Sequence, residues 1–301
     1  MSNLIKYHNN FVQAIYSTDL IAKKLLVGIS HKIQNIDKFG VEVEFNLKEI
    51  AELTGIKRGS LGQIEKAVNN LMQTIITAKN PNDNEEWIKF QLMGDSKYVK
   101  GKLTTKISPY MQPFLMELKK RFTTYHIENI KPLRSNYSIR IYEMLCQFKN
   151  TGIFNIKVSD FRKKLDIEDK YKLFSNFRKK VLEQAKKELK ANCDLFFEYK
   201  IEKIGTVAHM IKFKIFRQQI LKSSKLTQED YREIYNSERL EALSLLVENP
   251  TEKDIEEFRK NYEGKPEFFD GDNPKPMALE YFMTERLNFP SFEEWKKNQK
   301  E

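Results

Sequence analysis

Two distant stretches of this chain carry the same pattern. "NLKEIAELTGIKRGSLGQIEKAVNNLMQTI" (46–75) reads as a short helix, a turn at Gly55 and a second helix from about Ser60. "SDFRKKLDI" (159–167), with Ser159 placed to cap it, runs into "YKLFSNFRKKVLEQAKKELK" (171–190) and reads the same way. Ile50 to Ile56 and Phe161 to Ile167 take the same six-residue step across their turns. The flanks repeat as well. Upstream of each lies a helix, "STDLIAKKLLVGISHKIQ" (17–34) or "NYSIRIYEMLCQF" (136–148), and then a short strand, "VEVEF" (41–45) or "IFNIKV" (153–158). Downstream come alternating runs that suit hairpins. They are "WIKFQLM" and "GKLTTKI" with the turn-rich "NPNDN", then "LFFEYKIEK" and "VAHMIKFKIF" around Gly205.

Helix, strand, helix–turn–helix, hairpin is the order of a winged helix. The expected fold is α+β, with two tandem winged-helix domains over residues 1–126 and 127–218 and a small, acidic, mainly helical module over 219–301. "PYMQPFLMELKKR" (109–121) is expected to close the first unit as a helix, and "IENIKPLRS" (127–135) to link the two. Past Gln218 the pattern changes to "TQEDYREIY", "SERLEALSLLVEN" and "TEKDIEEFRKNY", with Thr227 and Thr251 as helix caps.

Charge divides along the same line. The chain of 301 residues carries a formal +10, but residues 226–301 hold 11 Lys/Arg against 19 Asp/Glu, which leaves +18 on residues 1–225. A basic body with an acidic end suggests a polyanion-binding region followed by a module with another task. With 40% hydrophobic residues the chain is globular. Cys146 and Cys193 stand far apart among apolar neighbours, so a disulfide scaffold or structural zinc is not supported. No secretion signal and no run of ~20 apolar residues is seen, so a cytoplasmic protein is expected.

Residues 171–190 carry seven Lys/Arg against two Glu, and that charge needs a partner: nucleic acid, an anionic membrane or water. At about 100° per residue, Phe174, Phe177, Val181, Leu182, Ala185 and Leu189 gather on one side. The domain core claims both phenylalanines, which argues against a membrane. Opposite lie Lys172, Asn176, Lys179, Glu183 and Lys186. A helix fits the major groove, where Asn pairs with adenine and Lys or Arg with guanine. Lys172, Asn176 and Lys179 are therefore the candidate base readers, with Ser175 beside them. In the first unit the matching helix offers Gln63, Lys66 and Asn70 outward, with Lys57, Arg58 and Ser60 at its start. Lys97, Lys100, Lys102, Lys203 and Lys212 on the hairpins are candidate phosphate contacts, which position a protein without reading sequence.

"LRSNYSIRIYEMLCQF", "VSDFRKKLDI" and "YKLFSNFRKKVLEQAKKELKANCDLFFEYK" resemble plasmid replication initiators of the RepE/pi type. The resemblance covers roughly residues 15–216 and is sharp in the second winged helix. It implies a double-stranded DNA partner, the iteron repeats of a plasmid origin. It further implies origin opening, helicase loading with a host replication initiator and replicative helicase as partners, and repression of the protein's own gene. It implies self-association through the first winged helix too, and it favours Arg178 as a DNA contact, where the helical wheel alone makes it a packed or salt-bridged side chain. A transcription regulator built on the same winged helices is the alternative; tandem repeats beside the gene would separate the two.

Catalysis is not expected, and no cofactor or metal is called for. A rolling-circle nickase needs a paired-histidine metal site, but His8, His31, His126 and His209 are isolated, and there is no GxxxxGK[ST] phosphate cradle. For the acidic end, three uses stay open: a packed cap, a recruiting surface, or a shield over the basic body.

Overall fold

The computed structural model describes residues 3–36, 40, 42–57, 60–80, 86–116, 118 and 121–218, and beyond them 232, 235, 239, 252–263, 269–270, 273–274, 279, 282 and 290–294. The chain divides into two compact units, residues 1–118 with 122–225, and residues 226–301 with 119–121.

The first winged helix opens with β1 (Leu4–His8), α1 (Asn9–Val12) and α2 (Leu20–Ile36). The Asp19 carboxylate accepts from the Ala22 amide at the start of α2. β2 (Val43–Asn46) leads into α3 (Leu47–Thr54) and α4 (Leu61–Gln73). A reciprocal pair starts α3: Asn46 accepts from the Glu49 amide at 3.0 Å, and Glu49 accepts from the Asn46 amide at 2.8 Å. Gly55 ends it in the left-handed region at φ +79°, where a Cβ would be strained. α2 and α3 approach closely because residue 28 is Gly; a Cβ there would run into the Leu53 side chain.

Strands β3 (Ile75–Lys79), β4 (Trp87–Gln91), β5 (Met93–Val99) and β6 (Lys102–Ile107) follow, with β3 paired to β4 and the order β2-β6-β5 in the other sheet. The expected helix over 109–121 is smaller, a 3-10 turn (Pro109–Met111) and α5 (Gln112–Leu115). β7 (Phe122–His126) then pairs antiparallel with β1. Sequence reading missed β1, β3 and β7 because each is short and "FTTYH" has no alternation to find.

The second winged helix comprises α6 (Asn136–Gln147), β8 (Ile153–Lys157), α7 (Val158–Lys164) and α8 (Phe174–Phe177). α8 runs through a π-helical segment (Arg178–Glu183) into α9 (Gln184–Asn192), and β9 (Leu195–Ile204) and β10 (Val207–Arg217) complete the unit in the order β8-β10-β9. Ser159 does not cap α7; the helix begins one residue earlier, with Lys157 in the cap position and no side-chain cap.

The 127–135 segment is a packed connector: Ile127, Ile130 and Leu133 are buried, and one apolar core runs from Ile5 to Ile215 through both winged helices. Polar groups cross the same boundary. Lys23 of α2 meets Glu143 of α6 at 2.8 Å, with side-chain exposures of 0% and 1%. Glu143 also accepts from the Tyr125 hydroxyl at 2.8 Å. Arg140 donates to the Tyr16 hydroxyl and to the Ala14 carbonyl, both at 2.8 Å, and reaches the Lys164 carbonyl at 3.5 Å. A buried charge without such partners would cost several kcal/mol, so these groups hold one another in place.

In the second unit, α10 (Glu252–Asn261) and a two-residue pairing of β11 (Phe269–Asp270) with β12 (Asn273–Pro274) surround a small core of Phe258, Leu279 and Phe282. Thr227 and Thr251, which sequence placed as helix caps, lie outside the described residues.

Candidate nucleic-acid interface

The helix over residues 174–192 is built to show one side. Phe177, Val181, Leu182, Ala185 and Leu189 are fully buried, while Phe174 is only partly covered. Ser175, Asn176, Arg178, Lys179 and Lys180 are exposed. Lys172 is exposed too, in the turn just before the helix and not on it. Leu173 beside it is 67% exposed, an apolar side chain at the leading end that the wheel did not single out.

Arg178, which the wheel alone makes packed or salt-bridged, stands at the start of a π segment, and Phe177 and Leu182 near it are both buried. It is exposed yet engaged, its Nε 3.0 Å from the Tyr199 hydroxyl and 3.4 Å from Glu183 Oε1. Tyr199 in turn donates to Glu183 at 2.5 Å, and burial, then that bond, pushes its hydroxyl up to about 12. Arg178 is thus a salt-bridged side chain that stays on the surface.

A residue that sequence reasoning missed sets the entry into this helix. Arg162 on α7 donates to the carbonyls of Lys170 at 2.9 Å and Tyr171 at 2.8 Å, and its guanidinium lies 4.6 Å over the Phe177 ring. It clamps the turn onto the helix that follows. The signal was available as an Arg on the inner side of "SDFRKK", but charge alone did not distinguish it from its neighbours.

The wing of this unit is the β9–β10 hairpin, turned at Gly205 with φ +60°. Lys203 is exposed one step below the tip, where Ile204 and Val207 are 64% and 68% exposed. Lys212 is neutralised by Glu202 at 2.5 Å. In the first wing Lys102 pairs with Glu44 at 2.8 Å and Lys97 lies 4.0 Å from Glu42, while Lys100 sits at the turn with φ +48°.

In the first winged helix Lys57, Gln63 and Lys66 are exposed and Ser60 is half-buried, without a side-chain cap bond. Arg58 lies outside the described residues. Asn70, expected outward, is half-buried and its side-chain oxygen accepts from the Asp19 amide at 3.1 Å. Leu61 at the start of α4 is 46% exposed. Lys66 shares an open hollow of about 330 Å³ with Glu65 and Asp19, carboxylates that an approaching phosphate would meet.

No described helix is long and apolar enough to cross a membrane, and no group of three His, Cys, Asp or Glu is placed to hold a metal among the described residues.

Two family profiles match this chain. The one described as "Initiator Replication protein, WH1" matches residues 4–146, and "Initiator Rep protein, WH2" matches 157–215. A "Replication initiation protein" of Escherichia coli is 31% identical over 163 residues, 52% of this chain and 51% of that protein. The "PI protein" of Escherichia coli is 31% identical over 170 residues, 50% of this chain and 55% of its own length. The chain thus spans about half the length of these relatives. The solved structure of a Pi initiator protein in complex with iteron DNA superposes with a TM-score of 0.56 at 20% identity, covering 73% of this chain and 99% of that one, and supports the same fold. With both winged helices matched in order, the chain belongs to the family of initiator replication proteins composed of WH1 and WH2 domains.

Proposed function

We propose that this protein initiates plasmid replication by binding repeated duplex sites, the iterons of an origin. It promotes origin opening and helicase loading there, acts by binding and not by catalysis, and works in the cytoplasm. The observation that carries this reading is the exposed row of Ser175, Asn176 and Lys179 on a helix whose other side is locked in the core, with Lys172 exposed in the turn that leads into it. The Pi relative solved on iteron DNA supports it.

In this reading residues 127–218 are the main reading domain, with Arg178 at the edge of the groove contact and Lys203 on a phosphate. Residues 1–126 add Lys57, Arg58, Ser60, Gln63 and Lys66 in a second groove and provide the surface for self-association. Residues 219–301, at odds in charge with DNA, serve as a cap, as a recruiting surface for a host replication initiator or helicase, or as a shield.

Footprinting on DNA flanking the gene tests the reading. Protection of tandem repeats of about 20 bp beside an AT-rich stretch is expected, since two reading helices on one chain span successive major grooves. Protection confined to a promoter, with no repeats, would instead make the protein a winged-helix transcription regulator. Deleting residues 226–301 sorts the uses of the acidic end. Lost solubility marks a cap, tighter nonspecific binding a shield, and normal site binding without plasmid replication a recruiting surface.

A further inference from the structure

Two helix–turn–helix elements in one chain can read one duplex together only if the angle between them is held. A set of buried and half-buried polar contacts spans the gap between them. At the first element, Asn70 of α4 holds the Asp19 amide, and one residue away the Thr18 carbonyl accepts from Asn136 at the start of α6. Farther along α2, Lys23 is locked to Glu143. One turn back on α6, the Arg140 guanidinium joins Ala14 and Tyr16 of the first unit to the carbonyl of Lys164, the last residue of α7. Lys164 returns the link, its ammonium donating to the Gln13 carbonyl at 3.1 Å. α7 feeds directly into the turn that Arg162 clamps against the 174–192 helix.

Apolar packing alone would leave the two units free to slide, because it has no direction. Buried ion pairs add little net stability over apolar packing, but they do impose geometry. A planar guanidinium imposes the most, since its donors are fixed in one fork. We infer that Arg140, with Glu143, Lys23 and Asn136, sets the phase between α4 and the 174–192 helix, so that the protein accepts its two groove contacts at one spacing and rejects the others. The inference rests on the DNA reading proposed above, and these four are positioning residues that touch no base.

Each added base pair turns the duplex by about 35° and lengthens it by about 3.4 Å. That displacement exceeds what a hydrogen bond tolerates, so one helix must let go. The experiment uses the full chain and the footprinted duplex, together with derivatives carrying one base pair more or fewer between the two protected grooves. Wild-type protein is expected to lose about tenfold or more in affinity on the shifted duplexes, the worth of one bidentate base contact. Arg140→Lys keeps the charge beside Glu143 but cannot span the three oxygens. Asn136→Ala, at a half-buried position, removes the Thr18 link with little risk to folding. Both are expected to bind the parent duplex nearly as wild type and to lose less than about threefold on the shifted ones. Wild-type protein that ignores spacing overturns the inference, as do folded variants that stay as strict as wild type, and either result leaves the DNA reading standing. Wild-type protein with no preference for the footprinted duplex over unrelated DNA overturns the DNA reading itself.

Discussion

The two reading helices occupy equivalent places in their units and are built differently. α4 is a regular α-helix of 13 residues with one Glu and one Lys, entered from a Gly-capped turn. The 174–192 helix carries six Lys/Arg against two Glu, contains a π segment, and is entered through a turn where Asp166 and Tyr171 hold positive φ of 53° and 52°. Gly55 enters the left-handed region at no steric cost, whereas Asp166 and Tyr171 do so against it. The second unit thus keeps a strained turn, whose end at Lys170 and Tyr171 is held by Arg162, and a distorted helix, at the place where its charge is densest. Strain held in place by its surroundings is a mark of a working site, and no non-glycine residue with positive φ is found among the described residues of the first helix and its turn. The difference supports the proposal that the second helix reads sequence and the first makes a supporting contact.

The largest expected effect concerns the charge behind this contrast. With +18 on residues 1–225, affinity for duplex DNA should fall by about a thousandfold between 50 and 200 mM salt, with a log–log slope of about −5 for ~6 phosphate contacts. A flat titration would break the comparison at its root, since neither helix would then face a phosphate backbone.

Next in size is a pair of core substitutions. Phe177 is fully buried under Arg162, and Phe177→Ala should cost about 3–5 kcal/mol in denaturant unfolding. Leu61 sits on the corresponding leading turn of α4 but is 46% exposed, so Leu61→Ala should stay within about 0.5 kcal/mol. Equal losses would mean that the two helices are anchored alike.

The turns give the smallest effect. Gly55→Ala should destabilise by about 1–2 kcal/mol, because its φ of +79° costs any L side chain that much. Asp166→Gly, at an exposed position with φ +53°, should instead stabilise by up to about 1 kcal/mol. If both substitutions destabilise, Asp166 holds its turn by side-chain contacts and the strain argument fails.

Much of this molecule could be read before its structure was known, for a physical reason. Its two long amphipathic helix pairs and its hairpins repeat a pattern, and periodicity over ten or more residues survives local exceptions. What escaped lacked such a signal. β1 and β7 are five residues each and find one another across the whole first unit, a pairing no local pattern encodes. The "YSIRIYE" string drew the eye as a family mark, but nothing in it announced that Arg140 and Glu143 are buried; a wheel places charge outward, and only the meeting with Lys23 reverses that. Of the candidate readers, Ser175, Asn176 and Lys179 fall on the exposed side as the wheel has them. Arg178, which the wheel alone makes packed or salt-bridged, is exposed as well and is salt-bridged to Glu183.

The central claim is that the 174–192 helix, more than the wing or α4, tells one sequence from another. It is tested by measuring the affinity of Lys179→Ala, Asn176→Ala, Gln63→Ala and Lys203→Ala for the footprinted site and for every single-base-pair change within it. The account predicts that the Lys179 and Asn176 variants lose about 1–3 kcal/mol on the parent site and lose preference at one or two base pairs. Gln63→Ala should shift the profile less, and Lys203→Ala should weaken all sequences alike. A profile altered by Lys203→Ala and untouched by the two helix substitutions would contradict it.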